Sequence, residues 1–277
     1  PDFPEAFSNL GIILRDLGEL KDAEISTRKA IELKPNFSLA YSNLGNILRD
    51  LGKLEDAKIS LNKAITINPN FADAYFNLSL IELLTGDYQH GLENYEFRFK
   101  KKKPTELYGN PIIAKVDDTK LQKGDKLLVV SEQGLGDTLQ YMRYIPYLIR
   151  QGLDVSFCAQ PKLHKLIQAS AIDPNPLTPG LANIVSEGQW IPLLSVPRYL
   201  NVRPNNPIVS KPYINSTVEL KRKWRKILSQ EKRPIIGINW QGSQNIGIVS
   251  ARGRSLPLET FSYLAQNNDV KFLSLQK

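Results

Sequence analysis

The sequence contains very few of the residues that disulfides and metal clusters require. Its 277 residues include one cysteine, Cys158, and two histidines, His90 and His164. A single cysteine cannot form an intramolecular disulfide, and these three residues are too few for a Cys/His zinc cluster. We therefore expect no structural metal, no bound cofactor and no disulfide, and we interpret both histidines as surface residues.

Long hydrophobic runs are also missing. No apolar stretch reaches the roughly 18 residues of a transmembrane helix. The N-terminal segment lacks the basic start and apolar centre of a signal peptide. These absences predict a cytoplasmic protein without a transmembrane segment. Because the chain starts at Pro1 and stops at Lys277 inside a predicted α/β segment, we also expect it to be a fragment.

The positive charge is concentrated in one part of the chain. Lysine and arginine total 36 against 28 aspartate and glutamate, a net charge of +8. Residues 1–103 carry 14 basic and 15 acidic side chains, whereas residues 104–277 carry 22 and 13. The second part is therefore expected near anions. Nucleic acid is not predicted, because basic residues interleaved with aromatics on one element, or a known binding module, are not found.

The first 103 residues repeat with a period of 34. Shifting the sequence by 34 positions aligns Phe7, Tyr41 and Tyr75; Asn9, Asn43 and Asn77; Leu10, Leu44 and Leu78; and Gly18, Gly52 and Gly86. The copies span about 4–37, 38–71 and 72–103. Apolar residues at helical spacing and a glycine turn predict a helix hairpin in each copy. Alanines mark the places where helices approach closely: Ala23, Ala30, Ala57 and Ala64.

This pattern resembles the tetratricopeptide repeat, whose hairpins stack into an α-solenoid. The resemblance implies a concave face that binds a protein or peptide. The third copy departs from it, with Ser79 at the glycine position, Arg98 at an alanine position and Lys103 at the proline position. We interpret it as the capping copy, and the four lysines at 100–103 as a solvated helix exit rather than an anion site.

After Pro104 the pattern changes to short β-rich runs that alternate with helical ones. This alternation predicts a parallel sheet with crossover helices. Predicted strands are 126–131, 155–159, 184–186, 190–194, 234–240 and 270–275; predicted helices are 138–150, 162–169, 216–229 and 257–266. A second α/β lobe is expected to begin near residue 233, so the domains are 1–103, 104–232 and 233–277.

A glycine loop follows the first predicted strand. Gly134 and Gly136 invite a dinucleotide-binding interpretation, but the third glycine of that fingerprint would fall at Leu139. The expected acidic residue is Asp154, which precedes the second strand instead of ending it. Nicotinamide or flavin binding is therefore not favoured. Asp137 would either cap the following helix or point its carboxylate into a cleft.

Several motifs, in this order, resemble glycosyltransferases linked to tetratricopeptide repeats. They are the Glu-aromatic-Arg segment 91–99, the loop 132–137, and segments 140–146, 190–197, 237–242, 254–257 and 274–276. Such enzymes are similar to the heptosyltransferase family, and the resemblance implies the GT-B architecture of two facing Rossmann-like lobes. It also implies an inverting bacterial transferase that uses a nucleotide sugar as donor substrate. The family's late Asp-Thr and His segment has no counterpart before Lys277.

The resemblance assigns roles to particular residues. Asp137 corresponds to the proposed general base, and Gln133, Gly134 and Gly136 form the acceptor loop. Candidates for holding the donor diphosphate are Gly242, Ser243, Arg254 and Ser255, with Arg252 nearby. Backbone amides and a guanidinium suit a diphosphate that gains charge as it leaves. Arg252 and Arg254 are equally interpretable as solvated charges in a flexible loop.

Two functions remain open at this point. In the first, the chain is part of a glycosyltransferase that acts on a protein or glycan acceptor and is inactive as given. In the second, it is a protein-interaction scaffold with an inactive α/β part. The basic segment 221–226 is interpreted as the solvent-exposed face of a helix. Its residues Val218, Trp224 and Ile227 are expected to pack inward, and the alternative is that the segment contacts phosphate or a membrane surface.

Overall fold

We describe the fold from a computed structural model of the chain. The structure describes residues 3–117, 119–208, 211–239, 256–265 and 269–275. Within these ranges, helices occupy the first part of the chain, and parallel strands with short helices occupy the second.

Six helices form an array of antiparallel pairs. They are α1 (Pro4–Leu17), α2 (Leu20–Leu33), α3 (Ser38–Asp50), α4 (Leu54–Ile67), α5 (Ala72–Leu84) and α6 (Tyr88–Tyr95). The two helices of each pair are joined at Gly18, Gly52 or Gly86, whose φ angles lie between 77° and 91°. Only glycine adopts this left-handed conformation without strain, which explains its recurrence every 34 residues.

Small residues let the paired helices approach closely, as the sequence predicted. Ala23, Ala30, Ala57 and Ala64 are fully buried. Gly45 of α3 lies against α4, where a Cβ atom on it would fall 2.6 Å from Cγ of Leu61. The array therefore depends on glycine and alanine at its helix contacts.

The third pair differs from the first two. Ser79 takes the place of the glycine, is fully buried, and donates a hydrogen bond to the carbonyl of Phe76 at 2.6 Å. Its partner α6 is short and continues into a 3₁₀ helix, Glu96–Phe99. The close approach of α5 and α6 depends instead on Gly91 of α6, because a Cβ atom there would lie 2.8 Å from Cγ of Leu83 in α5.

Four parallel strands form the sheet of the second part. They are β1 (Ala114–Lys115), β2 (Lys126–Val130), β3 (Asp154–Cys158) and β4 (Gln189–Pro192), in the order β1-β4-β2-β3. Leu127 of β2 pairs with Val155 of β3 and with Gln189 of β4. Since β2 and β4 are parallel neighbours, the loops that follow them leave the same edge of the sheet.

Short helices cover this sheet. They are α7 (Leu135–Tyr141), α8 (Ile145–Arg150), α9 (His164–Ala169), α10 (Pro179–Ala182) and α11 (Val196–Tyr199). The single helix predicted over 138–150 is interrupted by a 3₁₀ turn at 142–144, and Pro146 occupies the first turn of α8. Met142, Ile145 and Leu148 still point into the core.

Two predictions for this region are wrong. The strand predicted at 184–186 is a turn after α10, and Ile184 is exposed there. Helix α12 (Val218–Leu228) exists, but Val218, Trp224 and Ile227 do not pack inward and are all exposed. Beyond it, β5 (Ile235–Ile238) pairs in parallel with β6 (Lys271–Ser274), and α13 (Ser262–Ala265) lies between them in sequence.

Candidate functional site

The array and the sheet meet at a buried arginine. Arg98 and Glu132 are both fully buried and form a bidentate ion pair. Nε and Nη2 of Arg98 donate to the two carboxylate oxygens of Glu132, each at 2.8 Å. Nη1 of Arg98 donates to Oε1 of Glu96, also at 2.8 Å, and Nη2 donates to Oγ of Ser195. Buried charges need such complete pairing to be tolerated.

This ion pair joins three segments of the chain. Glu132 follows β2, and its Oε1 also accepts a hydrogen bond from the backbone N–H of Leu194, in the 3₁₀ turn after β4. Arg98 stacks over the rings of Tyr95 and Phe99, with its Cζ 4.6 and 4.1 Å from the ring centres. The last turn of the array is thus fixed to the loops that follow β2 and β4.

These contacts shift the pKa values of Arg98 and Glu96. Burial alone would lower the pKa of Arg98, but the hydrogen bonds and charges of Glu132 and Glu96 raise it above its usual value. Burial alone would raise the pKa of Glu96, yet the charge of Arg98 and the hydrogen bond from Ser195 lower it. Arg98 and Glu96 therefore both stay ionised across the physiological range.

Gln133 lies next to this ion pair and faces the array. Its Nε2 donates to the hydroxyl of Tyr95 at 2.9 Å, and its φ of 59° is rare for a residue with a side chain. Burial raises the pKa of Tyr95 to about 12, so the hydroxyl stays neutral. Beside Gln133 a cleft of about 590 Å³ opens between this loop and residues 105–108.

Asp137 stands in the first turn of α7. Its Oδ2 accepts a hydrogen bond from the backbone N–H of Gly134 at 3.0 Å, which ties the glycine loop to the start of the helix. No atom lies within 4 Å of the place where a Cβ of Gly136 would be, so the loop is open on that side. Gln133, Gly134, Gly136 and Asp137 thus lie together from the end of the loop into the first turn of α7, where the Asp137 carboxylate caps the backbone N–H of Gly134.

The candidates for the donor diphosphate cannot be located in the same way. Gly242, Ser243, Arg252, Arg254 and Ser255 all lie outside the described residues. Among the described residues, no cluster of three or more histidine, cysteine or carboxylate side chains could hold a metal ion. No helix in the described ranges is long and apolar enough to cross a membrane.

The remaining singled-out residues have ordinary local partners. Nδ1 of His90 pairs with Asp87 at 2.9 Å, and Nε2 of His164 lies 3.0 Å from the carbonyl oxygen of Ala159. Burial raises the pKa of the Cys158 thiol to about 11, so the thiol stays protonated. In the lysine run, Lys101 lies 4.0 Å from the ring centre of Phe76.

Sequence reasoning missed the ion pair at the junction. It identified Arg98 as a departure from the repeat and as part of the Glu-aromatic-Arg segment 91–99, and Glu132 only as the first residue of a loop motif. Two features of the sequence could have indicated this ion pair. Arg98 occupies a repeat position that is alanine in the other copies, and the carboxylate of Glu132 directly follows a buried strand. Ser195 offered no signal, because a single serine after a strand is common.

Comparisons with known proteins concern the array. Family models described as tetratricopeptide repeat match residues 4–37 and 27–59, and one described as TPR repeat matches residues 45–84. A comparison with curated proteins finds no match.

Among solved structures, similar chains include MamA and a domain of yeast Sti1. The crystal structure of MamA is 30% identical, covers 37% of this chain and 60% of its own, and has a TM-score of 0.34. A complex of the Sti1 TPR2B domain with pHsp70 is 24% identical, covers 34% of this chain and 75% of its own, and has a TM-score of 0.33. The match thus spans about three fifths of the MamA chain.

The family models, the 34-residue period and the six paired helices agree with one another. Helical repeats of this kind form protein-interaction scaffolds. The N-terminal region of the chain therefore consists of tetratricopeptide repeats.

Proposed function

We propose that the protein is a glycosyltransferase of GT-B type, in which the repeat array binds a protein or glycan acceptor for the α/β part. In this proposal, residues 1–103 form the array, residues 104–232 form the lobe that faces the acceptor, and residues 233–277 begin the lobe that binds the nucleotide sugar. The reaction type in this proposal comes from the resemblance of the sequence motifs. The position of the array relative to the loop 132–137 comes from the contacts of Arg98.

The observation that carries the proposal is the connection at Arg98. A bidentate ion pair with no solvent exposure holds the last turn of the array against the loop 132–137. The cleft beside Gln133 lies next to that contact. An acceptor bound along the array would therefore be delivered to the loop that contains Asp137, and rigid positioning of this kind accounts for much of an enzyme's rate.

The proposed reaction transfers a sugar with inversion. The acceptor hydroxyl oxygen attacks the anomeric carbon, the bond from that carbon to the diphosphate oxygen breaks, and Asp137 takes the hydroxyl proton. The nucleoside diphosphate leaves with the bonding electron pair. Backbone amides of a glycine loop, with Arg254 as a cation, would stabilise its developing charge.

The test uses the protein as its gene encodes it, incubated with a panel of nucleotide sugars. Transfer or slow donor hydrolysis is expected with one donor class. Asp137→Asn keeps a capping oxygen, so the melting temperature should not change. Asparagine cannot accept a proton, and turnover should fall by about 10²–10⁴-fold.

Asp125→Asn is the matched control. The Asp125 carboxylate also caps a backbone N–H, that of Gln122 at 2.6 Å, but it lies directly before β2, at the opposite end of this strand from the loop 132–137. This variant should keep both stability and turnover. Absence of transfer from every donor, or full turnover by Asp137→Asn, would contradict the proposal.

One observation supports the alternative of a scaffold with an inactive α/β part. Both carboxylates of the segment 132–137 have structural partners. Glu132 binds Arg98 and the backbone N–H of Leu194, and Asp137 binds the backbone N–H that precedes α7. In that case the loop would serve only to fix the array. Peptide binding to the array without any sugar transfer would then be the outcome of the same assay.

A further inference from the structure

Helix α12 has an unusual distribution of charge. Its 11 residues include five basic side chains and one acidic side chain, Glu219; the basic residues are Lys221, Arg222, Lys223, Arg225 and Lys226. No ion pair to any of these five occurs within the part of the chain that the structure describes. The helix therefore presents a strong positive charge to solvent.

The apolar residues of α12 form a stripe on one side. With about 100° of rotation per residue, Leu220, Trp224, Ile227 and Leu228 fall within a sector of roughly 100°. Lys221 and Lys223 border this sector on its two sides. The remaining circumference is mainly basic, and Val218 and Glu219 interrupt it.

Most of this apolar stripe is not covered by the described residues, and only Leu228 is partly buried. Leu220 and Trp224 are each 46% exposed, Ile227 is 54% exposed, and no residue of α12 is buried. None of the hydrophobic clusters of the described chain includes a residue of this helix. In contrast, α8 and α9 bury Ile145, Leu148 and Ile167 in the sheet core. The N-terminus of the helix is nevertheless capped, because Oγ1 of Thr217 accepts a hydrogen bond from the N–H of Leu220 at 3.2 Å.

We propose that α12 binds the surface of an anionic lipid membrane and lies in its plane. Leucine, isoleucine and tryptophan would enter the boundary between headgroups and acyl chains, where the amphipathic indole ring is favoured. The lysines that border the stripe are long enough to keep their ammonium groups among the lipid phosphates. A helix with little apolar bulk and many cations matches this environment in both charge and polarity.

The positive charge of α12 would also suit a nucleic acid, but its apolar stripe would have no matching surface there. A nucleic acid would be contacted by the basic side, while Leu220, Trp224 and Ile227 stayed in water. Burying these three residues lowers the free energy only if the anionic surface also contains an apolar phase. The observations therefore favour a bilayer over a polyanion.

The test measures sedimentation of the protein with vesicles. One set consists of phosphatidylcholine, and the other of equal parts of phosphatidylcholine and phosphatidylglycerol. We expect binding to the anionic vesicles only, a blue shift of tryptophan emission on binding, and release by salt. Leu220→Ser with Ile227→Ser should abolish binding without lowering the melting temperature, since neither side chain is buried.

Charge removal gives the matched comparison. Lys223→Gln with Lys226→Gln should weaken binding by about fivefold per lysine. The control is Lys102→Gln with Lys103→Gln, which removes the same charge from the exposed lysine run after the array and should change binding little. Equal weakening by both pairs would overturn the assignment to α12.

Two further outcomes would also overturn the proposal. If the native protein ignored both vesicle types and the serine variant lost thermal stability, the stripe would be covered by the protein's own chain. If the protein bound heparin but not anionic vesicles, and the serine substitutions left that binding unchanged, α12 would be a polyanion site.

Discussion

Glu82 shows how one buried side chain makes stability depend on pH. It is only 6% exposed, and its Oε2 accepts a hydrogen bond from Nδ2 of Asn94 at 2.9 Å. Burial raises the pKa of Glu82 more than this hydrogen bond lowers it. Because the folded-state pKa is above the unfolded one, the stability contributed by the protonated group is present at low pH and lost as pH rises through the folded pKa.

Glu82→Gln should therefore stabilise the protein at neutral pH. The amide oxygen can still accept from Asn94, and no charge is buried. We expect the melting temperature to rise by about 2–4 °C at pH 7 and to change little below the unfolded pKa near 4. Thermal melts across this range would measure it, with Glu55→Gln at an exposed position as the control. A gain that is equal at both pH values would refute the explanation.

The repeat helices were the easiest elements to predict from the sequence. Residues such as Ala57 and Gly52 recur every 34 positions, and each has a local physical cause, close helix packing or a left-handed turn. The helix α12 was identified equally well, but its orientation was not. An amphipathic pattern shows that a helix has an apolar side, whereas what covers that side depends on distant parts of the chain.

Gly45→Ala tests how tightly the array is packed. Alanine is about 1 kcal/mol better than glycine inside a helix. At this position, however, its Cβ would lie 2.6 Å from Cγ of Leu61 and 3.3 Å from the carbonyl oxygen of Ala57. We expect the overlap to outweigh the helix preference, with a net loss of about 1–2 kcal/mol in chemical denaturation.

Gly180→Ala provides the comparison for that experiment. Gly180 is also helical, in α10, and nothing lies within 4 Å of its would-be Cβ. This variant should be neutral or slightly stabilising. If Gly45→Ala behaved in the same way, α3 and α4 would be packed less closely than the structure describes.

The relation between the array and the α/β part could not be predicted from the sequence. Arg98 and Glu132 are 34 positions apart and belong to different patterns, one helical and one of a strand followed by a loop. Ser195 joins the same cluster from nearly 100 residues away. Contacts of this kind depend on how finished elements pack against each other, and no periodicity within either element indicates them.

Arg98 should therefore couple the unfolding of the two parts. Arg98→Met leaves the buried carboxylate of Glu132 without its cation, and we expect a loss of about 3–5 kcal/mol. The double variant Arg98→Met/Glu132→Met leaves neither charge unpaired and should regain much of that loss. Glu96 keeps Ser195 as a hydrogen-bond donor and Lys115 as a cation, 2.6 and 3.4 Å away.

Chemical denaturation of the wild type, the two single variants and the double variant forms a cycle that isolates the pair. The wild type should unfold in one transition, and Arg98→Met in two, because the junction is lost while the core of each part is intact. Proteolysis should then cleave the lysine run 100–103, which lies between the array and β1. If the two single losses simply added in the double variant, the ion pair would not be what holds the array to the sheet, and delivery of an acceptor from one to the other would lose its structural basis.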